Sequence, residues 1–506
     1  MSNIMRSISI SEASVMTKRV TPATLTVDNF IDGAWVGSDE RFDVRDPGRR
    51  ADVIARVAVA DEAQVDRAVE SAHKALKPWG AISIDDRAAA VLRAADLIEA
   101  EAEKGIEGLA GVVVRETGML PVEIIMELRG AAYAARDNVE AAKVALEPVI
   151  VEDKASIVRI EHRPIGVVAA IVPWNAPIVL LIRKFAPALV AGDTLVIKTP
   201  PTAPVGVAIL MEKLAGLFPR GVINVVHGGA ETGAALSAHP KVRLISFTGG
   251  GAAAKQIMKT AADTLKNVQF ELGGNDAAIV LDDVDMNKAI PTLIAGAFHR
   301  SGQFCFAIKR LYVPESIYDA FFDKLVAEID AFRVGHPMDP RTTFGPINNP
   351  GQLAYLKSLV EKTHAAGGEL IELGHKVDPE SWDEGNYMLP VLVRKPAGDF
   401  DIVTCEQFGP VLPVMSYKSE DEVVALANGT EYGLGSSIWT SDFERGVALA
   451  RRLEAGMTYI NKNAQSRLGR RHMPFGGIKQ SGIGTENSEL GLAEFTEIHA
   501  MNFHKV

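Results

Sequence analysis

Glu271 and Cys305 are the side chains of this chain best suited to covalent chemistry, and both stand beside small residues. Glu271 opens the run Glu271-Leu272-Gly273-Gly274-Asn275-Asp276, and Cys305 lies in Ser301-Gly302-Gln303-Phe304-Cys305-Phe306. A thiolate can attack an electrophilic carbon, and a carboxylate can then deprotonate the water that releases the product. The glycines let backbone approach a ligand closely, because no Cβ stands in the way. By themselves the two groups have a plainer reading. A free cysteine is usually a small buried hydrophobe, and Glu-Leu-Gly-Gly can be a strand running into a loop. Context must decide.

A chain of 506 residues is too long for one core and should divide into two or three domains. Apolar residues make up 47% and charged residues 23%, the balance of a soluble globular protein. A net charge of −11 argues against nucleic acid or an anionic membrane as partner. Cys305 and Cys405 cannot form a disulfide framework, and neither lies in a Cys/His cluster, so no metal site is expected. The N-terminus has no secretion signal. The uncharged run Ile165 to Ile182 is interrupted by Pro173, Asn175 and Pro177, which fits a strand, a turn and a helix start better than a membrane span. A cytoplasmic protein is the expectation.

The elements that must position these groups follow from periodicity. Residues 1–20 read as a loose leader, and Asn29 to Val36 as a hairpin turning at Asp32-Gly33. Val65, Val69, Ala72 and Leu76 repeat at helical spacing behind Asp61 and Glu62. Helices should also run from about Asp85 to Leu109 and from Pro121 to Ala145. From Val167, strands at Val167–Val172, Thr194–Ile197, Val222–Val226, Leu244–Phe247 and Ala277–Leu281 alternate with helices near Leu180–Val190, Val207–Leu217, Glu231–Ser237 and Ala252–Ala262. Such alternation predicts a parallel sheet with a ligand at the carboxyl ends of its strands. No Gly-x-Gly-x-x-Gly follows any strand. The nearest feature is Phe247-Thr248-Gly249-Gly250-Gly251, a Gly-rich turn opening a helix, where a phosphate could sit. A second alternating set runs from about Asp282 to Gly477. Glu147 to His162 reads as a projecting hairpin that pairs with another subunit, the tail Phe495–Val506 being one candidate strand.

At this point seven motifs, in order, resemble the NAD(P)-dependent aldehyde dehydrogenase superfamily from about Asn29 to Phe503. They are Pro173-Trp174-Asn175-Ala176-Pro177, Lys198, Phe247-Thr248-Gly249, Glu271-Leu272-Gly273-Gly274, Gly302-Gln303-Phe304-Cys305, Glu406-Gln407-Phe408-Gly409-Pro410 and Pro474-Phe475-Gly476-Gly477. The resemblance implies an aldehyde-dehydrogenase-like α/β fold with two α/β domains, a Rossmann-like cofactor domain and a catalytic domain, plus a protruding oligomerisation hairpin. On that pattern residues 21–147 and 166–274 form the cofactor domain and 275–480 the catalytic domain. Residues 148–165 and 485–506 are then oligomerisation elements of a homodimer or homotetramer.

It also implies roles. Cys305 would add to the aldehyde, Asn175 and the Cys305 backbone N–H would hold the oxyanion, and Glu271 would activate the water that cleaves the thioester. Lys198 and Glu406 would take the two riboses of NAD, and Phe408 would lie against the nicotinamide. Trp174, Gly249, Gly250, Leu272 and Gly273 complete the cofactor set. Read singly, Asn175 could cap a helix, Lys198 end a strand, Glu406 sit in a turn and Trp174 pack in the core. Cys405 has no role in the pattern.

Several positions depart from the family. Pro201 replaces a glutamate common in NAD-preferring relatives, which leaves NADP open beside the expected NAD. Gly250 replaces a serine and Ala254 a glycine. Arg300 stands where asparagine is frequent, with an unusual His299 before it. Arg467, Arg470, Arg471 and His472 lie in a segment near the expected substrate mouth. They could bind the far carboxylate of a semialdehyde, or be a solvated loop or subunit contact. Phe304, Phe306 and Phe475 instead point to an apolar collar for aromatic or medium aliphatic aldehydes. A coenzyme A-acylating enzyme is a further alternative, against which Glu271 argues.

Overall fold

The computed structural model describes residues 24–505, so the leader expected at 1–20 lies outside the described residues. Asp32 and Gly33 both take positive φ, 53° and 73°, and turn the strand Asn29–Ile31 into Ala34–Val36 as expected. The helix Glu62–Gly80 is capped by Asp61, whose side chain accepts from Gln64 N–H. The expected helix from Asp85 stops at Glu103. Gly105, at φ 58°, breaks it, and a separate helix Leu109–Thr117 follows.

Two large sheets organise the rest. In the first, Val242–Thr248, Val167–Ile171, Thr194–Lys198 and Ile223–Val226 run parallel at the centre, with Asn267–Glu271 beside Val242–Thr248. The second has seven strands in the order Glu369–Glu372, Val391–Arg394, Val411–Tyr417, Ile308–Pro314, Asp276–Val280, Gly435–Trp439 and Met457–Ile460. Both are clothed by helices, so the fold is α/β with two sheet-centred domains. Their central strands read Val-Val-Ala-Ala-Ile and Asp-Ala-Ala-Ile-Val, buried on both faces, which is why they show no polar alternation.

One strand is assigned differently from the periodicity. Alternation alone makes Ala277–Leu281 the last strand of the first set, but Asp276–Val280 is a central strand of the second sheet, and Asn267–Glu271 fills the place in the first. The reason is local. Four residues, Leu272 to Asn275, carry the chain from one sheet into the other, and their two glycines allow the crossing. Glu271 therefore ends a strand at the boundary between the sheets. Past the carboxyl ends of Val242–Thr248 and Val167–Ile171 come Gly249 and Asn175, and Lys198 ends the next strand of the same sheet.

The ribbon Val149–Glu152 and Ser156–Pro164 forms, and its inner strand pairs residue for residue with Thr496–His504 of this same chain. The outer strand Val149–Glu152 is exposed throughout. Ile165 to Ile182 resolves into strand, turn and helix, the helix Pro177–Ala191 beginning on a proline. Among the described residues no helix is long and apolar enough to cross a membrane.

Candidate active site

Cys305 lies in the turn between the helix Met286–Phe298 and the strand Ile308–Pro314. The turn is wound tightly. Arg300, Ser301 and Gly302 all have positive φ, at 53°, 55° and 75°. Gly302 must be glycine there, since a Cβ would stand 2.3 Å from the Gly409 carbonyl oxygen. Gln303 is fully buried and ties the turn down: its Nε2 donates to Arg300 O at 3.1 Å, and its Oε1 accepts from Asn348 N–H at 2.9 Å.

The thiol is half-buried, and the desolvation of its surroundings pushes its pKa up to about 12. Lys309 opposes that rise, while Glu271, Asp276 and Glu406 add to it. The Lys309 ammonium donates to the carbonyl oxygens of Phe304 and Cys305 and stands 3.5 Å from Glu406 Oε1. Its charge favours the thiolate.

Asn175 is buried, and its Nδ2 donates one hydrogen to Gln303 O at 3.0 Å, which leaves the other uncommitted in the cleft that Cys305 also lines. Glu271 is 2% exposed, and neither carboxylate oxygen has a hydrogen-bond partner. Burial raises its pKa well above the carboxylate range, and the nearby Glu486 raises it further, against Lys184 and Arg183. Lys184 and Glu486 form a wholly buried ion pair at 2.7 Å. An unsatisfied, hard-to-ionise carboxyl in a cleft is poised to take a proton rather than to stabilise the fold.

Cys305, Asn175 and Glu271 line one cleft of about 320 Å³ together with Trp174, Gly249, Gly250, Leu272, Gly273, Glu406 and Phe408. Of the residues expected at the site, Lys198 is the exception. It is buried at the end of its strand, flanked in register by Ile171 and Val226, and outside the lining. Burial lowers its pKa to about 8, and no carboxylate among the described residues offsets that.

The remaining wall is mostly backbone. Phe408, at φ 53°, meets Trp174 edge-on at 5.6 Å. Gln352 Nε2 donates to the carbonyls of Gln407 and Phe408, and Tyr355 Oη donates to Glu406 O at 2.9 Å. Glu406 Oε1 accepts from Gly274 N–H at 3.1 Å. A Cβ on Gly273 would stand 2.0 Å from Glu406 Oε2, so bare backbone is required there. At Gly250 a side chain would meet nothing within 4 Å, so the missing serine is not a steric necessity. Cys405 makes one sulfur contact, with Thr404 Oγ1 at 4.0 Å.

On the other side of the thiol, Phe304 packs edge-on against Phe306 at 5.0 Å and Phe306 against Phe475 at 5.7 Å. Arg183 lies over Phe475, 5.0 Å from its centroid. In the arginine-rich segment, Arg471 pairs with Glu140 at 3.8 Å and Arg470 stacks on Tyr133. The side chain of Arg467 is outside the described set.

Sequence reasoning does not reach Lys309, Lys184, Glu486, Tyr355 and Gln352. One of them leaves a trace. Lys184, with Arg183, is the charged pair in an otherwise apolar helix, Pro177–Ala191, and a buried charge there demands a partner.

The sequence pattern of the Aldehyde dehydrogenase family matches residues 35–501. Among solved structures, an NADP-dependent enzyme of E. coli is 31% identical, with a TM-score of 0.89 over 95% of this chain and 98% of that one. An aldehyde dehydrogenase from Brucella melitensis biovar abortus 2308 is also 31% identical, with a TM-score of 0.87 over 96% and 98%. A betaine aldehyde dehydrogenase point mutant from Staphylococcus aureus, in complex with NAD+ and with a modified cysteine, is 30% identical, with a TM-score of 0.89 over 94% and 96%.

Proposed function

Because the chain belongs to the aldehyde dehydrogenase family, we propose that it oxidises an aldehyde to the carboxylic acid through a covalent bond to Cys305, with NAD as cofactor and NADP as the alternative. One observation carries this reading. A thiol, a carboxamide donor and an unsatisfied carboxyl face a single cleft that continues between Trp174, Glu406 and Phe408.

Cys305 releases its proton to solvent, its Sγ adds to the carbonyl carbon as the C=O π bond opens, and the charge that develops on oxygen is met by Asn175 Nδ2–H and the Cys305 N–H. Trp174, Glu406 and Phe408 line the part of the cleft that would hold the nicotinamide, which when bound would take up the hydride, and Cys305 would then carry the thioester. Glu271 removes the proton from the water that attacks that thioester. The carbon–sulfur bond breaks and the acid departs. The chain's residues fit the cofactor: Lys198 holds a buried amine in want of acceptors, Glu406 offers a carboxylate to hydroxyls, and Gly249, Gly250, Leu272 and Gly273 leave backbone accessible. The NADP-dependent and NAD+-bound relatives support both cofactors.

For the substrate, the edge-to-face set Phe304, Phe306 and Phe475 supports an aromatic or medium aliphatic aldehyde. A second reading, an aldehyde bearing a far carboxylate, is favoured by a small cavity of about 70 Å³ lined by Arg183 and Arg470, where Arg183 Nε has no hydrogen-bond partner. Asp137 lines the same cavity, so an anion must sit on the arginine side. We divide the chain as the family pattern implies, with 21–147 and 166–274 taking the cofactor, 275–480 the chemistry, and 148–165 with 485–506 a homodimer or homotetramer contact through the exposed Val149–Glu152 edge.

The test is a panel of aromatic, fatty and acid-bearing aldehydes with NAD and NADP in parallel, read by absorbance of the reduced nicotinamide. Aldehyde-dependent reduction is expected and Cys305→Ala should abolish it. Reduction that persists in that variant would overturn the covalent reading, and a preference for the acid-bearing aldehyde would favour the second substrate class.

A further inference from the structure

We infer that Arg300 is a positioning residue that fixes the oxyanion donor Asn175 relative to the thiol; this rests on the role proposed for Asn175 above. Arg300 is 7% exposed and spreads its guanidinium between two elements. Its Nη1 donates to Asn175 O at 2.6 Å, and its Nη2 donates to Glu127 Oε2 at 2.7 Å. The other oxygen of Glu127 accepts from Ile178 N–H at 2.8 Å and Val179 N–H at 3.2 Å, the opening amides of the helix Pro177–Ala191. The backbone N–H of Arg300 is in turn held by Glu123 Oε1 at 2.7 Å.

Asn175 O lies one residue before Ala176 O, the first carbonyl taken up by the helix, and so needs a donor from outside it. Arg300 supplies that donor. Together with Asn175 Nδ2 donating to Gln303 O, this gives two crosslinks between the turn that carries the oxyanion donor and the turn that carries the nucleophile. Both run to residues 300–303, within five positions of Cys305. A forked, permanently charged side chain is suited to satisfy a carbonyl and a buried carboxylate at once; the asparagine often found here in the family has neither the reach nor the charge. An oxyanion donor must sit within a few tenths of an ångström of its productive place, and a displacement of about 1 Å can lower the rate about 100-fold.

The experiment compares Arg300→Met/Glu127→Gln, which removes the ion pair without leaving a lone buried charge, with Arg300→Lys and Asn175→Ala, and with the combination of the first and last. Four quantities are read: kcat and the KM for NAD with an aldehyde, the rate of Cys305 alkylation by iodoacetamide, and the thermal midpoint. Alkylation reports the thiol but forms no oxyanion. The ion-pair variant should lose about 10- to 100-fold in kcat, with alkylation and the KM for NAD changed less than about twofold. On the Asn175→Ala background the same change should cost less than about threefold, and Arg300→Lys should recover part of the loss. A loss of equal size on both backgrounds, or turnover and alkylation falling together, would overturn the inference. If the ion-pair variant does not fold, Arg300→Lys alone and in Asn175→Ala carries the same comparison. Full activity in Asn175→Ala would sink the oxyanion assignment itself, whereas an impaired Asn175→Ala beside a fully active ion-pair variant would sink only the role of Arg300.

Discussion

On the wall that carries Gly249, Gly273, Glu406 and Phe408, bare backbone and short turns do the positioning, whereas the side chains of Cys305, Asn175 and Glu271 that line the same cleft are held among buried ions. The first wall needs glycine at 273, where a Cβ would strike Glu406, and at 249, where it would strike the Phe247 ring, and a positive φ at Phe408. The second needs Lys309 under the thiol turn, Arg300 against Asn175, and the Lys184–Glu486 pair beside Glu271. The contrast has a physical basis. A dinucleotide offers hydroxyls and phosphates that extended backbone can meet in water-accessible space. Covalent chemistry needs charge to appear and vanish at set points, and only fixed charges in a poorly solvated place can tune that.

The largest effect should come from the carboxyl on the ionic wall. Glu271→Gln is expected to slow steady-state turnover by about 10²- to 10⁴-fold, the usual contribution of a general base, while leaving the first turnover fast. Stopped-flow absorbance should then show a burst of reduced cofactor matching the enzyme concentration, followed by a slow phase. The pH dependence has a definite sign. The folded-state pKa of Glu271 is raised, so its basic form is populated only as pH climbs through that raised value, and hydrolysis should speed up towards alkaline pH. Glu271→Gln should lose that limb. An intact steady state with the same pH profile would place the base elsewhere.

A smaller effect is expected one step further from the chemistry. Lys309 is the cation that counters the rise in the thiol pKa. Lys309→Met should push that pKa higher still. At fixed pH the thiolate fraction and the iodoacetamide rate should then fall, by about tenfold if the pKa climbs by about one. Burial alone, with Lys309 a mere tether for Phe304 and Cys305, predicts instead an unchanged alkylation profile and a lower thermal midpoint.

These two walls are not equally readable in the sequence. Glycine-rich turns, the helix start at Pro177 and the alternation of strands are local signals, and with the family motifs they bring Gly249, Gly273, Glu406 and Phe408 to one cleft. Cys305, Asn175 and Glu271, the proposed nucleophile, amide donor and base, each lie within a short motif as well, and line the same cleft. Their supports are not. Glu123 and Glu127 sit four apart in an Ala-rich helix and look like surface charges, and nothing local says that both reach Arg300 across more than 170 residues. Lys309 in Ile308–Pro314 reads as an ordinary strand residue until the chain folds it under Cys305. The strand Ala277–Leu281 falls into the wrong sheet for the same reason: periodicity finds a strand but not the crossing made by Leu272 to Asn275. Long-range ion pairs and sheet membership depend on the fold as a whole.

The smallest effect tests the backbone wall, where a charge is absent. Pro201 is exposed in the turn that follows Lys198. Proline there presets φ for the turn and donates nothing, so replacing it removes no hydrogen bond and changes stability by about 0.4–1 kcal/mol through the unfolded chain. A carboxylate at 201 would stand close to where the adenosine ribose is proposed to meet Lys198. It would accept from ribose hydroxyls and repel a 2′-phosphate through partly screened Coulomb interaction. Pro201→Glu should therefore raise the ratio of kcat/KM with NAD to kcat/KM with NADP by about threefold, mostly by weakening NADP, and the effect should shrink as salt is added. Because position 201 lies outside the cleft lining to which Cys305 belongs, Cys305 alkylation should not change. A ratio that stays put at low salt would mean that the ribose binds away from this turn, and the backbone wall would then have to discriminate by shape alone.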